Sequence, residues 1–196
     1  MMSKWLGRMV VIAGMCWAPV ASAATYKLDP DHSSVEFKIR HLFSYVHGEF
    51  TEFEGTYEYE PGKPETWKAR AVMQTASIDT KAADRDEHLR SADFFDAATY
   101  PTITFTSTQV TDVTSAGAKL HGILNIHGVE KPVVMDVAIH GEGKDPWGKT
   151  RSGFTATVTV DRKDFGLMWN KVVEAGQMLV GDEVQITIEV EGIRQE

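Results

Sequence analysis

The run DRDEHLRSADFFDAATYPTITF, residues 84–105, is a dense block of charge and aromatic rings in a chain otherwise built of short alternating segments. Its first half places Asp84, Arg85, Asp86, Glu87, His88 and Arg90 around one large apolar residue, Leu89. Acids crowd the first turn, and Asp79 or Thr80 just upstream supplies an N-cap. Asp86 precedes Arg90 by four residues, the favourable order for an ion pair on a helix. The pattern predicts a short helix held at its foot by Phe94 and Phe95. Pro101 closes the turn, and Thr102–Thr106 opens a strand. A charged helix set between strands, with two aromatics at its base, reads as a lid on a β-structure. Arg85, Asp86, His88, Arg90 and Asp93 serve either as an ion-pair network that pins the insertion or, for the cations, as partners of a polar group at a pocket mouth.

Outward from that block the chain has period two. Upstream, Val35, Phe37 and Ile39 share a face against charged neighbours, as do Phe53, Gly55, Tyr57 and Tyr59, and then Trp67, Ala69, Ala71 and Met73. This is the pattern of half-exposed antiparallel strands. His41–Tyr45 breaks the alternation and reads as a helical turn or bend, with the next strand resuming at Gly48. Downstream, Leu120, Gly122, Leu124 and Ile126 align, then Val133, Met135, Val137 and Ile139 after a turn at Gly128–Lys131. Phe154, Ala156, Val158 and Val160 follow, and Val184, Ile186, Ile188 and Val190 close the chain. Between the last two lies a second irregular insertion, about 163–180, carrying Phe165, Leu167, Met168, Trp169, Val172 and Val173.

About eight strands with one-sided alternation and no βαβ rhythm predict an all-β fold, an antiparallel eight-stranded up-and-down barrel. Closure removes exposed edges, and a barrel of that size is filled by side chains or holds one small ligand. Small inward residues such as Ala69, Ala71, Gly122 and Ala156 leave room for a cavity.

The N-terminus reads as a secretory signal. Lys4 and Arg8 are followed by the apolar run MVVIAGMCW, residues 9–17, and by Ala21-Ser22-Ala23, a cleavage site before Ala24. The run is shorter than the roughly 20 residues needed to span a bilayer, so no stable membrane anchor is expected. Met15 precedes Cys16 where a lipoprotein site requires a small residue. Cleavage leaves residues 24–196 as one domain, and loss of Lys4 and Arg8 takes the net charge from −8 to −10. Cys16, the one cysteine, leaves with the signal, which excludes disulfides and thiol chemistry from the remainder. The acidic balance argues against nucleic acid as a partner. An exported, acidic domain without cysteine is expected in the periplasm.

Catalytic motifs are sparse. Asp84-x-Asp86-x-His88 has ligand-like spacing, but positions i and i+2 diverge on a helix. His121 and His127 share a strand face, opposite Leu124 and on the wet side, so a surface metal is disfavoured. No GxSxG, P-loop, GxGxxG or HExxH is present. No catalytic residue, metal or cofactor is assigned, and an enzyme, a metal-dependent hydrolase included, ranks below a binding protein.

The block at 84–105, together with LHGILNIHGVEKPVVMDV, GFTATVTVDRKDFGLMWN and VGDEVQITIEV, resembles the YceI family of bacterial polyisoprenoid-binding proteins across residues 24–196. Ala97-Ala98 is smaller than in the family pattern. The resemblance implies a lipocalin-like barrel whose apolar lumen takes a long isoprenoid lipid, a polyprenol derivative or a quinone tail, and association into a homodimer. Under it, the lumen candidates are Val35, Phe37, Ile39, Phe105, Leu124, Val137, Ile139, Phe154, Val158, Ile186 and Ile188, each of which also reads as ordinary core. Phe43, Phe94, Phe95, Phe165, Leu167 and Trp169 come from the irregular segments and shape the mouth. Arg85, His88 and Arg90 are placed to meet a phosphate or quinone oxygen. The alternative is a filled barrel that holds no ligand and acts through its surface in stress response or envelope assembly.

Overall fold

Alternating segments become strands wherever their apolar face finds a partner sheet. The computed structural model describes residues 23–173 and 176–196, so the signal segment assigned to residues 1–23 lies, but for Ala23, outside the described residues. The described residues form eleven strand segments: β1 (Ala24–Leu28), β2 (Ser34–His41), β3 (Ser44–Phe50), β4 (Phe53–Tyr59), β5 (Lys68–Gln74) and β6 (Ile78–Asp79) in the first half. β7 (Thr102–Thr111), β8 (Gly117–Ile126), β9 (Val129–Lys144), β10 (Thr150–Asp161) and β11 (Val180–Arg194) complete them. Among the described residues one α-helix, α1 (Ala83–Arg90), interrupts the series. Among the described residues, no helix is long and apolar enough to cross a membrane.

The eleven segments make eight staves of a closed antiparallel barrel. β1 and β2 form one stave, bent at the 3-10 turn Pro30–His32, where Pro30 removes a ladder donor and Asp29 accepts from the Asp31 backbone N–H. β3 and β4 form the second, bent at Thr51–Glu52, and β5 and β6 the third, bent at the 3-10 turn Thr75–Ser77. β7 to β11 supply one stave each, and β11 closes the ring by pairing with β1 at Tyr26–Arg194 and with β2 at Ile186–Phe37.

Two local expectations are corrected. Of the two readings of His41–Tyr45 the bend holds and the helical turn does not: β2 and β3 are joined by the two residues Leu42 and Phe43, with Leu42 at φ 45, and the strand resumes at Ser44 rather than Gly48. The β8–β9 turn is likewise shorter than expected, with only His127 (φ 55) and Gly128 (φ 74) between the strands. Both take left-handed backbone, which matches the twist of a tight hairpin.

The barrel interior divides into two cores. At the end holding the start of β1 and the β4–β5, β7–β8 and β9–β10 connections, aromatic rings fill the lumen. Tyr26 stacks on Tyr57 with centroids 5.1 Å apart and planes 4° off parallel. Phe154 meets Tyr57 at 5.4 Å and Tyr59 at 4.9 Å, both edge-on. Ile139, Val190 and Trp67 pack around them. The Tyr57 hydroxyl lies 2.8 Å from Ser152 Oγ, and burial pushes its pKa up. Gly192 makes this possible, since a Cβ there would sit 2.2 Å from the Tyr57 oxygen. Tyr26 Oη donates to Glu142 at 2.8 Å, and burial with that bond raises its pKa to about 12. The second core, around Phe50, Met73, Ile103, Phe105, Leu124 and Met135, lies toward the other end.

Arg151 ties the outside of the filled end together. Its Nη1 lies 2.6 Å from Asp29 Oδ2 and 2.6 Å from Glu191 Oε1, and its Nε 2.8 Å from Asp145 Oδ2. These bonds hold the Asp29 and Asp145 carboxyls below their ordinary range. A carboxyl depressed in the folded state stabilises above its unfolded pKa, and that contribution is lost as pH falls through the unfolded and then the folded value. The urea midpoint is therefore expected to fall between about pH 5 and about pH 3. Arg151→Met lowers the midpoint at neutral pH and flattens this slope, as urea titrations at both pH values will measure.

Candidate functional site

Toward the unfilled end the inward positions do not meet, and a cavity of about 340 Å³ remains. Phe37 and Ile39 of β2, Ile103 and Phe105 of β7, Leu124 of β8 and Ile186 of β11 are among its walls. Leu89, Phe94, Phe95, Phe165, Leu167 and Trp169 close over it from the two insertions. Gly122 does not add space as its size suggests: a Cβ there would lie 2.4 Å from the Phe105 ring, so the phenyl group occupies that room. Ala71 does line the cavity.

The first half of the roof is α1 with the turn that follows it. The N-cap position of the helix falls on Ala82, which has no acceptor side chain, and the expected caps Asp79 and Thr80 lie upstream of it with other partners. Asp79 Oδ1 accepts from the Lys81 backbone N–H at 2.7 Å. Buried Asp86 accepts from the Thr80 N–H at 2.8 Å and from its hydroxyl at 2.5 Å. Asp86 is thus not paired with Arg90, whose Nε and Nη2 donate to the Ala76 and Ile78 carbonyls at 2.7 Å. Arg85 grips the same connection through Thr80, donating from Nε at 2.7 Å and Nη2 at 2.8 Å. The charged helix is fixed by side chains that replace missing helix-end and sheet bonds.

The second half is the β10–β11 insertion, organised by Arg162, which is 3 % exposed. Its guanidinium donates to the Gly181 carbonyl at 2.8 Å, the Trp169 carbonyl at 2.9 Å and the Leu167 carbonyl. Asp182 is its ionic partner at 3.4 Å, and burial lowers the pKa of the arginine. Three rings join the halves: His88 lies 5.1 Å from Phe94 and 4.9 Å from Trp169, and Phe94 lies 5.0 Å from Trp169. Asp93 Oδ2 sits 3.0 Å from His88 Nε2.

The expected site residues separate into groups. Phe37, Ile39, Phe94, Phe95, Phe105, Leu124, Phe165, Leu167, Trp169 and Ile186 line the cavity, as do Arg85, His88, Val35 and Ile188. Ile139 and Phe154 point inward but belong to the aromatic filling of the other end. Val137 and Val158 pack against the main core and stand outside the cavity wall. Phe43 projects from the β2–β3 turn, 81 % exposed, and Arg90 is held on backbone carbonyls outside the lining. The sequence reading missed Arg162, Phe50, Met73, Met135 and Val184 among the lining residues. Arg162 was detectable, because it lies two residues after Val160 and continues the inward phase of β10.

Ligand-type side chains converge elsewhere without making a comparable site. Among the described residues, Asp29, His32 and Glu191 form one such group, within 4.8 Å of one another, and Arg151 already bonds both carboxylates. His121 Nε2 pairs with the Thr111 hydroxyl at 2.9 Å, while the His127 ring lies tilted against Tyr100 with centroids 4.4 Å apart, so these two histidines face different partners.

The division into filled end and cavity is testable with an apolar environment-sensitive fluorophore. Ile186→Trp, which puts an indole into the cavity, is expected to weaken fluorophore binding about tenfold or more by exclusion. Phe154→Ala is expected to cost about 3 kcal/mol of stability and leave binding near wild type. Equal loss of binding in both variants contradicts the division.

The YceI-like domain profile matches residues 26–192. A UPF0312 protein of Azotobacter vinelandii is 40 % identical over 198 residues, covering all of both chains. The crystal structure of Campylobacter jejuni YCEI protein superposes with a TM-score of 0.70 at 31 % identity, over 81 % of this chain and 91 % of that one. A polyisoprenoid binding domain from Saccharophagus degradans, described as implicated in plant cell wall breakdown, superposes with a TM-score of 0.65 at 16 % identity, over 88 % and 99 % of the two chains. With a profile match that spans the barrel from β1 to β11, the chain belongs to the YceI-like domain family.

Proposed function

We propose that the protein is a periplasmic carrier that holds one long-chain isoprenoid lipid in its lumen. The observation that carries this reading is a largely apolar cavity with one end of the barrel filled by aromatic rings and the other covered by two insertions. Such a space rewards apolar length: each buried methylene contributes about 0.8 kcal/mol, so a five-carbon isoprene unit contributes about 3–4 kcal/mol before ordering costs. A few units suffice for tight binding, and no catalytic group is required. Membership of the YceI-like family, together with the polyisoprenoid-binding description of the Saccharophagus degradans domain, supports the same ligand class. Family and fold point to a binding protein rather than an enzyme. The signal-like N-terminus supports export. A filled barrel acting only through its surface is disfavoured by the cavity itself.

The polar end of the lipid is assigned to the cavity lip. Arg162 is committed to three carbonyls and Asp182, whereas Arg85 uses Nε and Nη2 on Thr80 and, among the described residues, has no partner at Nη1. Arg85 and His88 are the lining hydrogen-bond donors on the α1 side of the lip. A phosphate or quinone oxygen is the group they would recognise.

Native mass spectrometry of protein purified from its own periplasm, followed by organic extraction, tests the proposal. A stoichiometric prenyl lipid or quinone is expected. Apo protein that takes up no added prenyl lipid overturns the carrier reading. For the lip, Arg85→Ala is expected to weaken a prenyl phosphate about tenfold relative to the corresponding prenyl alcohol, the value of roughly one charge-assisted hydrogen bond. Equal weakening of both ligands assigns Arg85 to the architecture of the roof instead.

A further inference from the structure

A lipid held in this cavity has to pass between water and a bilayer, and the rim of the covered end has the composition of a membrane-docking surface. Large apolar side chains project there in contradiction to their chemistry. Phe43 is 81 % exposed, Val172 66 %, Met168 61 % and Met178 56 %. Phe43, Val172 and Met178 belong to one patch, and Met168 lies earlier in the same β10–β11 insertion. The Leu42 N–H donates to the Leu179 carbonyl at 3.0 Å, tying the β2–β3 turn to the β10–β11 insertion. Val172 and Met178 pair across a β-bridge within that insertion, and the Leu179 N–H donates to the Lys171 carbonyl at 2.9 Å.

The patch is continuous with the cavity lip along the chain. His41, just before the Leu42–Phe43 turn, lines the cavity, as does Leu179, just after Met178. Leu167 and Trp169 line it on either side of Met168, whose side chain is turned outward. The same backbone thus presents one set of apolar groups to the lumen and the next to the outside.

What surrounds these tips selects the partner. Lys38 Nζ lies 5.5 Å from the centroid of the Tyr45 ring, and the Arg40 guanidinium 5.3 Å from it. Lys171 Nζ lies 5.8 Å from the Trp169 ring centroid. Of the two acids beside Lys38, Arg40 and Tyr45, Asp182 is neutralised by Lys163 at 2.7 Å and by Arg162, which leaves Glu183 against the two cations. Apolar tips backed by Tyr, Trp and long cations whose charged ends can reach outward match the depth order of a bilayer, from acyl chain to interface to phosphate.

We infer that the rim formed by Phe43, Met168, Val172 and Met178 docks the covered end of the barrel onto a lipid bilayer, with Lys38, Arg40 and Lys171 at the level of the headgroups. Docking rests on the carrier reading, and the experiment separates the two. Protein purified from its own host is floated with phosphatidylcholine vesicles, with and without phosphatidylglycerol. In parallel, prenyl lipid is offered from detergent micelles, where no bilayer is needed.

Wild type is expected to float with vesicles, more so with the anionic lipid. The Phe43→Asp, Val172→Asp, Met178→Asp variant is expected to float about tenfold less, with unchanged melting temperature and unchanged uptake from micelles. Trp147→Asp, at the opposite end and 82 % exposed, is the control and is expected to float like wild type. Wild type that loads from micelles but does not float overturns docking and leaves the carrier reading standing. A triple-Asp variant that floats like wild type also overturns docking. If instead wild type sediments as a dimer, the variant as a monomer and neither floats, the rim joins two copies of the chain and the bilayer inference is overturned. Flotation of wild type that takes up no prenyl lipid from micelles overturns the carrier reading and keeps a membrane-binding barrel.

Discussion

The stack of Tyr26 on Tyr57 sets where everything else in this barrel can be. Eight antiparallel staves enclose an interior that side chains are able to fill completely. Here the filling is concentrated: two tyrosines in parallel contact, with Phe154 edge-on to one of them and to Tyr59, occupy one end. The arrangement depends on the absence of a side chain at Gly192 and on polar partners for both stacked hydroxyls, Glu142 for Tyr26 and Ser152 for Tyr57. With the bulkiest rings gathered there, the remaining length of the barrel is lined by aliphatic groups, Met and Phe that do not meet across it.

The covered end is built on a different principle. Neither insertion has the apolar stripe of an independently packed helix, and each is instead held by arginines that donate to backbone carbonyls. Arg85 and Arg90 fasten α1 to the connection that precedes it, and Arg162 gathers the β10–β11 insertion around itself. Donation to carbonyls suits a loop, which has no ladder to satisfy them. Part of the charge that made residues 84–93 stand out, on Arg85, Asp86 and Arg90, is therefore directed at the protein's own backbone.

The barrel class was legible because a period of two reports which face of a strand turns inward. The same signal placed Phe37, Phe105, Leu124 and Ile186 correctly on the inner face, and also Ile139 and Phe154. Period two carries no information about height along the barrel axis, so residues of the filled end and of the cavity read alike. Height depends on stagger between staves and on the bends at Pro30–His32, Thr51–Glu52 and Thr75–Ser77, which come from the ladder as a whole. Arg162 is inconspicuous for another reason: it is a charged residue at an inward position, where the alternation of β10 continues past Val160. Phe43 misled in the opposite direction, its hydrophobicity suggesting burial in a turn too short to fold back over the lumen.

The ring triangle of His88, Phe94 and Trp169 makes the roof a seam rather than a continuous cover. Among the described residues, no hydrogen bond crosses from the α1 segment to the β10–β11 insertion. Parting the two flaps leaves the bonds of Arg85, Arg90 and Arg162 intact, because each arginine holds its own flap. The cost is the three ring contacts, worth about 0.5–1.5 kcal/mol apiece, together with the apolar surface of Leu89, Phe95, Phe165 and Leu167 that parting exposes. Opening along this seam breaks no backbone ladder and leaves every stave intact. A molecule too long to slip past closed aromatic rings can enter or leave without the barrel loosening.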